Sequence, residues 1–143
     1  MSEHQHLFVY GTLRRVFAHH HARILRAHCR LLGEGGFEGR LFDVGCYPAG
    51  VARPTGGRDV RGELYRVIRP HLLLPILDRF EGRGEDNDQP HLYRREAIEI
   101  QLDTGRKLRA WVYLYNRDTD RLRPIPGGDY AAYRVPGRRI ACG

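Results

Sequence analysis

The chain has 143 residues, 41% of them apolar, and no apolar run near the roughly 18 residues of a membrane-crossing helix; this argues against disorder and helical membrane proteins, and fits one domain over 1–143. It carries 24 basic and 17 acidic residues, a net charge of +7 that is arginine-driven, since Lys107 is the only lysine. The three cysteines, Cys29, Cys46 and Cys142, are widely spaced and odd in number, which argues against a disulfide framework and for a reducing, cytoplasmic setting.

The first residues, Met1 to His6, lack a basic start followed by an apolar core, so no signal peptide is expected. Leu7, Phe8 and Val9 form a continuous apolar run, as in a strand buried on both faces. The run continues as Tyr10-Gly11-Thr12-Leu13. Gly11 lets the chain turn sharply and lets another molecule approach the backbone. Successive amides past such a turn can converge into a concavity that suits an anion. A strand that simply ends in a turn is the plainer reading of that segment alone.

A helix is predicted over 19–29, with Ala18, Ala22, Leu25 and Cys29 on one face. The cluster His19-His20-His21, with His28 further on, invites a metal reading. Consecutive helical positions point in different directions, and no acidic or cysteine partner repeats at ligand spacing, so a solvated helix face is the expectation. Residues 31–43 are rich in glycine and suit bent strands or a bulged ribbon. Cys46-Tyr47-Pro48-Ala49-Gly50 reads as a turn, and 54–59 as an exposed loop. Residues 60–67 alternate cleanly, with Val60, Gly62, Leu64 and Arg66 opposite Arg61, Glu63, Tyr65 and Val67, as a strand does.

Pro70 and Pro75 bracket a leucine run. An interior proline costs about 3 kcal/mol, so a short helix starting near Pro75 is expected rather than one helix across it. Ile76, Leu77 and Phe80 would then face the core, with Glu81 at the end, Gly82 as the stop and 84–90 a polar loop. A strand over 92–102, a turn at Thr104-Gly105 and a partner strand over 108–115 make a hairpin. Its second strand puts Trp111, Tyr113 and Tyr115 on one side, Val112 and Leu114 on the other. The tail from Ile125 to Tyr130 is turn-rich and ends in a short segment over 131–133. Five to seven strands, two short helices and no βαβ alternation indicate an α+β, mostly β chain. Its expected architecture is a small bent antiparallel or mixed β-barrel with short flanking helices.

Glu81 stands out chemically. A carboxylate between Phe80 and Gly82, at the end of an apolar helix, is a candidate acid or base, because burial raises its pKa toward neutrality. A surface residue ending a helix is the plainer alternative. Asp78, three residues earlier on the same helix face, is the rival carboxylate; capping or orienting the segment is its simpler role.

Tyr10-Gly11-Thr12-Leu13, Tyr47-Pro48-Ala49, Gly62-Glu63-Leu64-Tyr65, Leu77-Asp78-Arg79-Phe80-Glu81-Gly82, Tyr93-Arg94-Arg95 and Ala110-Trp111-Val112-Tyr113 follow one another along the chain. This order resembles the gamma-glutamylcyclotransferase-like superfamily, in particular its branch of AIG2-like proteins and γ-glutamylamine cyclotransferases. Gly127-Gly128-Asp129-Tyr130 is similar to that family's closing Gly-Asp-aromatic. The resemblance spans Phe8 to Tyr130, and its specificity lies in order and spacing rather than in any one piece. The loop over 83–89 is longer and more acidic than the family's minimal pattern.

The resemblance implies a barrel of about six strands with flanking helices. It implies a pocket built on Tyr10, Gly11, Thr12 and Leu13, with Glu81 as general acid/base. The implied reaction converts a γ-glutamyl amide to 5-oxoproline and a free amine. Such a substrate carries its own nucleophile, the α-amine, so neither metal nor cofactor is expected. Near-attack positioning and proton transfer would carry the rate. The amides of Gly11, Thr12 and Leu13 suit either the substrate α-carboxylate or a developing oxyanion, and the sequence does not choose. Tyr47 is a further substrate-binding candidate. Tyr93 and Tyr113 are candidate pocket walls or hydroxyl donors, and equally core aromatics of a hairpin.

The expected partner is a small γ-glutamyl molecule, with no membrane; the oligomeric state is open. Two other classes stay in view. A non-catalytic binding module on the same fold would show ligand-induced thermal stabilisation without turnover. A nucleic-acid binder drawn by the +7 charge would show salt-sensitive association, but the basic residues are scattered and lack interleaved aromatics.

Overall fold

The computed structural model describes residues 6–17, 20–45, 47–57, 59–80 and 92–134. Strand β1 (His6–Val9) is followed by helix α1 (His20–His28), β2 (Cys29–Phe37), β3 (Gly39–Asp43), β4 (Pro48–Ala52) and β5 (Val60–Val67). Helix α2 (Pro70–Phe80), β6 (Tyr93–Leu102), β7 (Lys107–Tyr115), β8 (Arg123–Pro124), a 3-10 turn (Pro126–Gly128) and α3 (Tyr130–Tyr133) complete the described elements. Five strands close a barrel in the order β1-β5-β2-β6-β7. Its strands pair antiparallel except at the closure, where β1 meets β7 in parallel with Leu7 opposite Trp111. A second sheet, β4-β3-β8, covers one side. The mostly-β barrel read from the sequence is the observed architecture. The described residues hold one more strand and one more helix than the sequence suggests, namely the two-residue β8 and the single-turn α3.

The barrel strands bury both faces, which is why β1 reads as an unbroken apolar run. One face gathers Phe8, Phe37, Leu64, Ile100, Val112 and Leu114 from all five strands. The other gathers Leu7, Val9, Tyr65, Tyr93, Tyr113 and Tyr115 under Leu25 of α1 and Leu73 and Leu77 of α2. The two-sided split expected of the strand over 108–115 is therefore observed in β7. The clean alternation expected of β5 is not: Gly62, Glu63, Leu64 and Tyr65 are all buried, because β5 lies between β1 and β2 with packing on both sides.

Three other expectations are corrected. Residues 48–50 are not part of a turn; they open β4, which pairs with β3 so that Asp43 stands opposite Pro48. The proline, first in its strand, removes no interior ladder donor. Helix α1 ends at His28, and Cys29 already belongs to β2. Finally, α2 runs straight through Pro75. Pro70 occupies its first position, where a fixed φ favours the helix. Pro75 lies on the exposed side, and Leu73, Leu74 and Leu77 are buried beneath. Burying three leucines at about 1.5–3 kcal/mol each outweighs the interior proline. Starting the helix at 70 also turns Ile76 outward, where it is 41% exposed.

Pro75→Ala is therefore expected to stabilise the protein by about 2 kcal/mol. It regains the i→i−4 bond, less the roughly 0.4–1 kcal/mol by which proline restricts the unfolded chain. A urea titration checks this: the midpoint should rise at unchanged slope.

No described helix is long and apolar enough to cross a membrane.

Candidate functional site

β1 delivers Tyr10 and then the loop that begins at Gly11. The turn bonds of that loop are Arg14 N–H to Gly11 O and Phe17 N–H to Arg14 O, both at 3.0 Å. Neither uses the N–H of Gly11, Thr12 or Leu13. Leu13 is 4% exposed and packs in the core with Leu77 and Tyr113. Gly11 lies against the β4 hairpin so closely that a Cβ there would stand 2.9 Å from Pro48 Cγ. The glycine is thus needed for approach, not for an unusual φ.

The tyrosines form a connected frame around this contact. Tyr10 OH donates to the Tyr113 carbonyl at 2.6 Å and accepts the Gly50 N–H at 3.0 Å. Tyr93 OH donates to the Pro48 carbonyl at 2.6 Å, and its ring meets Tyr47 edge to face at 6.0 Å. Tyr113 OH donates to Asp78 Oδ1 at 2.7 Å. Three hydroxyl protons therefore go to protein acceptors, which favours wall over donor for these side chains. Tyr10, Gly11, Leu13, Tyr47, Tyr93 and Tyr113 are brought together, and Asp78 and Pro48 join them. Glu81 lies outside the described residues, as do the 83–89 loop, Cys46, Cys142, Ala18 and His19. The chain reaches Glu81 from Phe80, whose ring stacks on His21 at 4.1 Å. His21 is thus not simply a solvated face; it packs against the end of α2.

A buried charge network braces the loop from behind. Arg14 is 6% and Glu63 3% exposed. Glu63 Oε1 accepts the Arg15 N–H at 3.0 Å and the Tyr65 hydroxyl at 2.9 Å. Arg14 pairs with Asp129 at 2.8 Å and lies 3.9 Å from Glu63. Burial and the adjacent Glu63 carboxylate push the Tyr65 phenol well up. Asp129 also caps α3, accepting from the Ala131 and Ala132 amides. At the other end of α3, Tyr133 OH donates to Asp43 Oδ2 at 2.7 Å, and Arg134 reaches Asp43 at 3.3 Å and the Gly45 carbonyl at 2.6 Å. One short segment so ties the Gly11 loop to the hairpin that carries Tyr47. Sequence reasoning missed this brace. Its signals were the charge inside an apolar pattern at Glu63 and the Asp129 of the closing motif, neither of which names Arg14 as the partner.

The two aspartates at the contacts of that segment, Asp129 that caps it and Asp43 of β3 that receives its far end, give a pH dependence. Burial pushes both carboxyls up, but their partners outweigh it and hold both below the usual range. Those partners are Tyr133, Gly45 and Arg134 for Asp43, and Arg14 with two amides for Asp129. Depressed folded pKa values mean stability that is present above the unfolded pKa of about 3.9 and lost as pH falls through the folded ones. Thermal melts should be flat above about pH 5 and fall below about pH 4. Asp43→Asn and Asp129→Asn should each shallow that fall.

An open groove of about 500 Å³, lined by Phe37, Glu38, Arg53, Pro54, Glu99 and Lys107 among others, shares no residue with the tyrosine frame.

Comparison with known proteins agrees with the geometry. The family model described as gamma-glutamyl cyclotransferase, AIG2-like, matches residues 7–132. The Escherichia coli (strain K12) gamma-glutamylcyclotransferase family protein YtfP is 31% identical over 125 residues, 87% of this chain and 94% of that one. The Mus musculus gamma-glutamylaminecyclotransferase is 31% identical over 125 residues, with 76% of each chain covered. A crystal structure of a Mus musculus AIG2-like protein superposes with a TM-score of 0.68 at 27% identity, covering 95% of this chain and 94% of that one. The chain belongs to the gamma-glutamyl cyclotransferase, AIG2-like family of enzymes.

Proposed function

We propose that the protein converts a γ-glutamyl amide to 5-oxoproline and a free amine, with Glu81 as general acid/base. The substrate's α-amine attacks its own γ-carbonyl carbon, a C–N bond forms and closes the five-membered ring, and the C–N bond to the leaving amine breaks. Glu81 accepts a proton from the α-ammonium and returns it to the leaving nitrogen; the second proton, which the ring nitrogen sheds after attack, follows the same route, so the amine leaves as an ammonium and the ring nitrogen keeps one N–H. One group serving both transfers contributes about 10²–10⁴-fold, and near-attack positioning up to roughly 7–11 kcal/mol. The N–H groups of Gly11, Thr12 and Leu13 hold the γ-glutamyl half. Tyr10, Tyr47, Tyr93 and Tyr113 wall the pocket.

The observation that carries this reading is the convergence itself. Residues from β1, β4, β6, β7 and α2, far apart in the chain, meet around one turn whose amides the turn's own bonds do not use. The test is incubation with a panel of γ-glutamyl amines and γ-glutamyl amino acids, assayed for 5-oxoproline. Product from at least one member is expected. Ligand-induced stabilisation with no product from any would mark a binding module instead.

A further inference from the structure

The end of the barrel away from Tyr10 carries a row of basic side chains. His6 of β1 stands opposite Arg66 of β5, and Arg66 stands opposite Arg30 of β2, so the three share one face across three adjacent strands. That face is the barrel interior, because alternation puts His6 with Phe8 and Arg66 with Leu64. Arg106, from the turn between β6 and β7, adds a further positive charge at the His6 ring. The three arginines are exposed, so the row is open to solvent. Among the described residues, no carboxylate pairs with any of them. His6 itself is 3% exposed, and its ring nitrogens have no hydrogen-bond partner among the described residues. Burial, with Arg66 and Arg106, holds its imidazole below the usual pKa, so the ring is neutral and keeps one N–H to donate.

Like charges directly opposite one another destabilise a sheet, and a buried donor without an acceptor adds to the cost. Both occur in this one row, and no acidic group of the described chain offsets them. A negatively charged ligand would. A planar carboxylate is matched by a single arginine fork, whereas a phosphoryl group presents three acceptor oxygens and close to two charges. That is the anion for donors arriving from β1, β5, β2 and the β6–β7 turn. We infer that this end of the barrel is a binding site for a phosphoryl dianion, free phosphate or a phosphate monoester, held by Arg30, Arg66, Arg106 and His6. Four residues of extended chain, roughly 13 Å, separate His6 from Tyr10, so the site is distinct from the tyrosine frame and does not rest on the cyclotransferase reading.

The test is titration of the full chain with inorganic phosphate at constant pH and ionic strength, followed through the NMR signals of the His6 ring, which His6→Gln assigns. A saturable shift at His6 and a higher melting temperature are expected, and chloride should produce neither. Arg66→Gln should weaken phosphate binding by about 10-fold or more, the size of one charge-assisted contact. It should also raise the melting temperature without phosphate, because it removes two like-charge neighbours. Arg40→Gln, which removes a charge from the exposed side of β3, should leave the phosphate Kd unchanged. Tighter binding of phenyl phosphate than of phosphate supports the site with a monoester as its ligand; equal or weaker binding supports it with free phosphate. A shift that bypasses His6, fails to saturate, is reproduced by chloride, or is weakened alike by Arg66→Gln and Arg40→Gln reflects net charge alone and overturns the site. Should Arg66→Gln not fold, Arg30→Gln removes the neighbouring charge of the same row and decides the matter on the same expected loss.

Discussion

Glu81→Gln is expected to lower turnover of a γ-glutamyl amide by about 10²-fold or more, with 5-oxoproline binding and melting temperature close to wild type. Glutamine is nearly isosteric and still forms hydrogen bonds, so binding and fold survive. It cannot accept the α-ammonium proton or return it, so the chemical step loses its only proposed relay. Asp78→Asn should behave differently. Asp78 accepts the Tyr113 hydroxyl at 2.7 Å and lies 3.3 Å from Arg95, so its charge anchors α2 to the β6–β7 hairpin. Neutralising it should lower the melting temperature and weaken substrate binding more than it slows bound substrate. Turnover and melting temperature measured side by side separate the two. Full turnover in Glu81→Gln, with a well-folded but inactive Asp78→Asn, would exchange their roles.

Gly50→Ala is expected to damage fold and site together. A Cβ at Gly50 would stand 2.6 Å from Tyr10 Cζ and 2.8 Å from its hydroxyl oxygen, far inside contact distance. The ring is 6% exposed and braced by Phe37 at 6.1 Å, so it has little room to retreat. Overpacking costs about 1–3 kcal/mol, and displacing the Tyr10 hydroxyl from the Gly50 amide and Tyr113 carbonyl leaves buried polar groups unmatched at about 1–3 kcal/mol more. A total near 3 kcal/mol corresponds to a melting temperature lower by about 6–12 °C for a chain of this size. Because Tyr10 leads directly into Gly11, activity should fall further than the folded fraction. A variant that melts as wild type and turns over normally would show that the Tyr10 contact is not needed.

Elements were legible in the sequence where one local rule governed them. The apolar run at β1, the glycine-studded ribbon of β2 and β3 and the two-sided pattern of β7 each follow from periodicity. The tyrosine frame was legible only because short motifs stand in a known order; no local property of Tyr47 or Tyr93 says that they meet. What was missed depended on distant partners. Pro75 reads as a helix breaker until the packing of Leu73, Leu74 and Leu77 is known. Glu63 reads as one more alternating strand position until Arg14 and Arg15 arrive from the loop after the neighbouring strand β1. A pattern rule assigns charge to the surface, so it fails where two buried charges answer each other.

The closure of the barrel has a kinetic consequence. β1 leaves the ribosome before both of its neighbours, β5 and β7, and its Leu7–Trp111 contact joins the two ends of the described sheet. No hairpin partner follows it locally, so its apolar residues stay unpaired until β5 is made, and its other edge stays open until β7 emerges late in synthesis. Such long-range pairing slows folding and prolongs exposure of an open strand edge. The segment that positions the proposed catalytic turn is therefore the one most at risk on the nascent chain, and active protein forms only after the β6–β7 hairpin has docked against it.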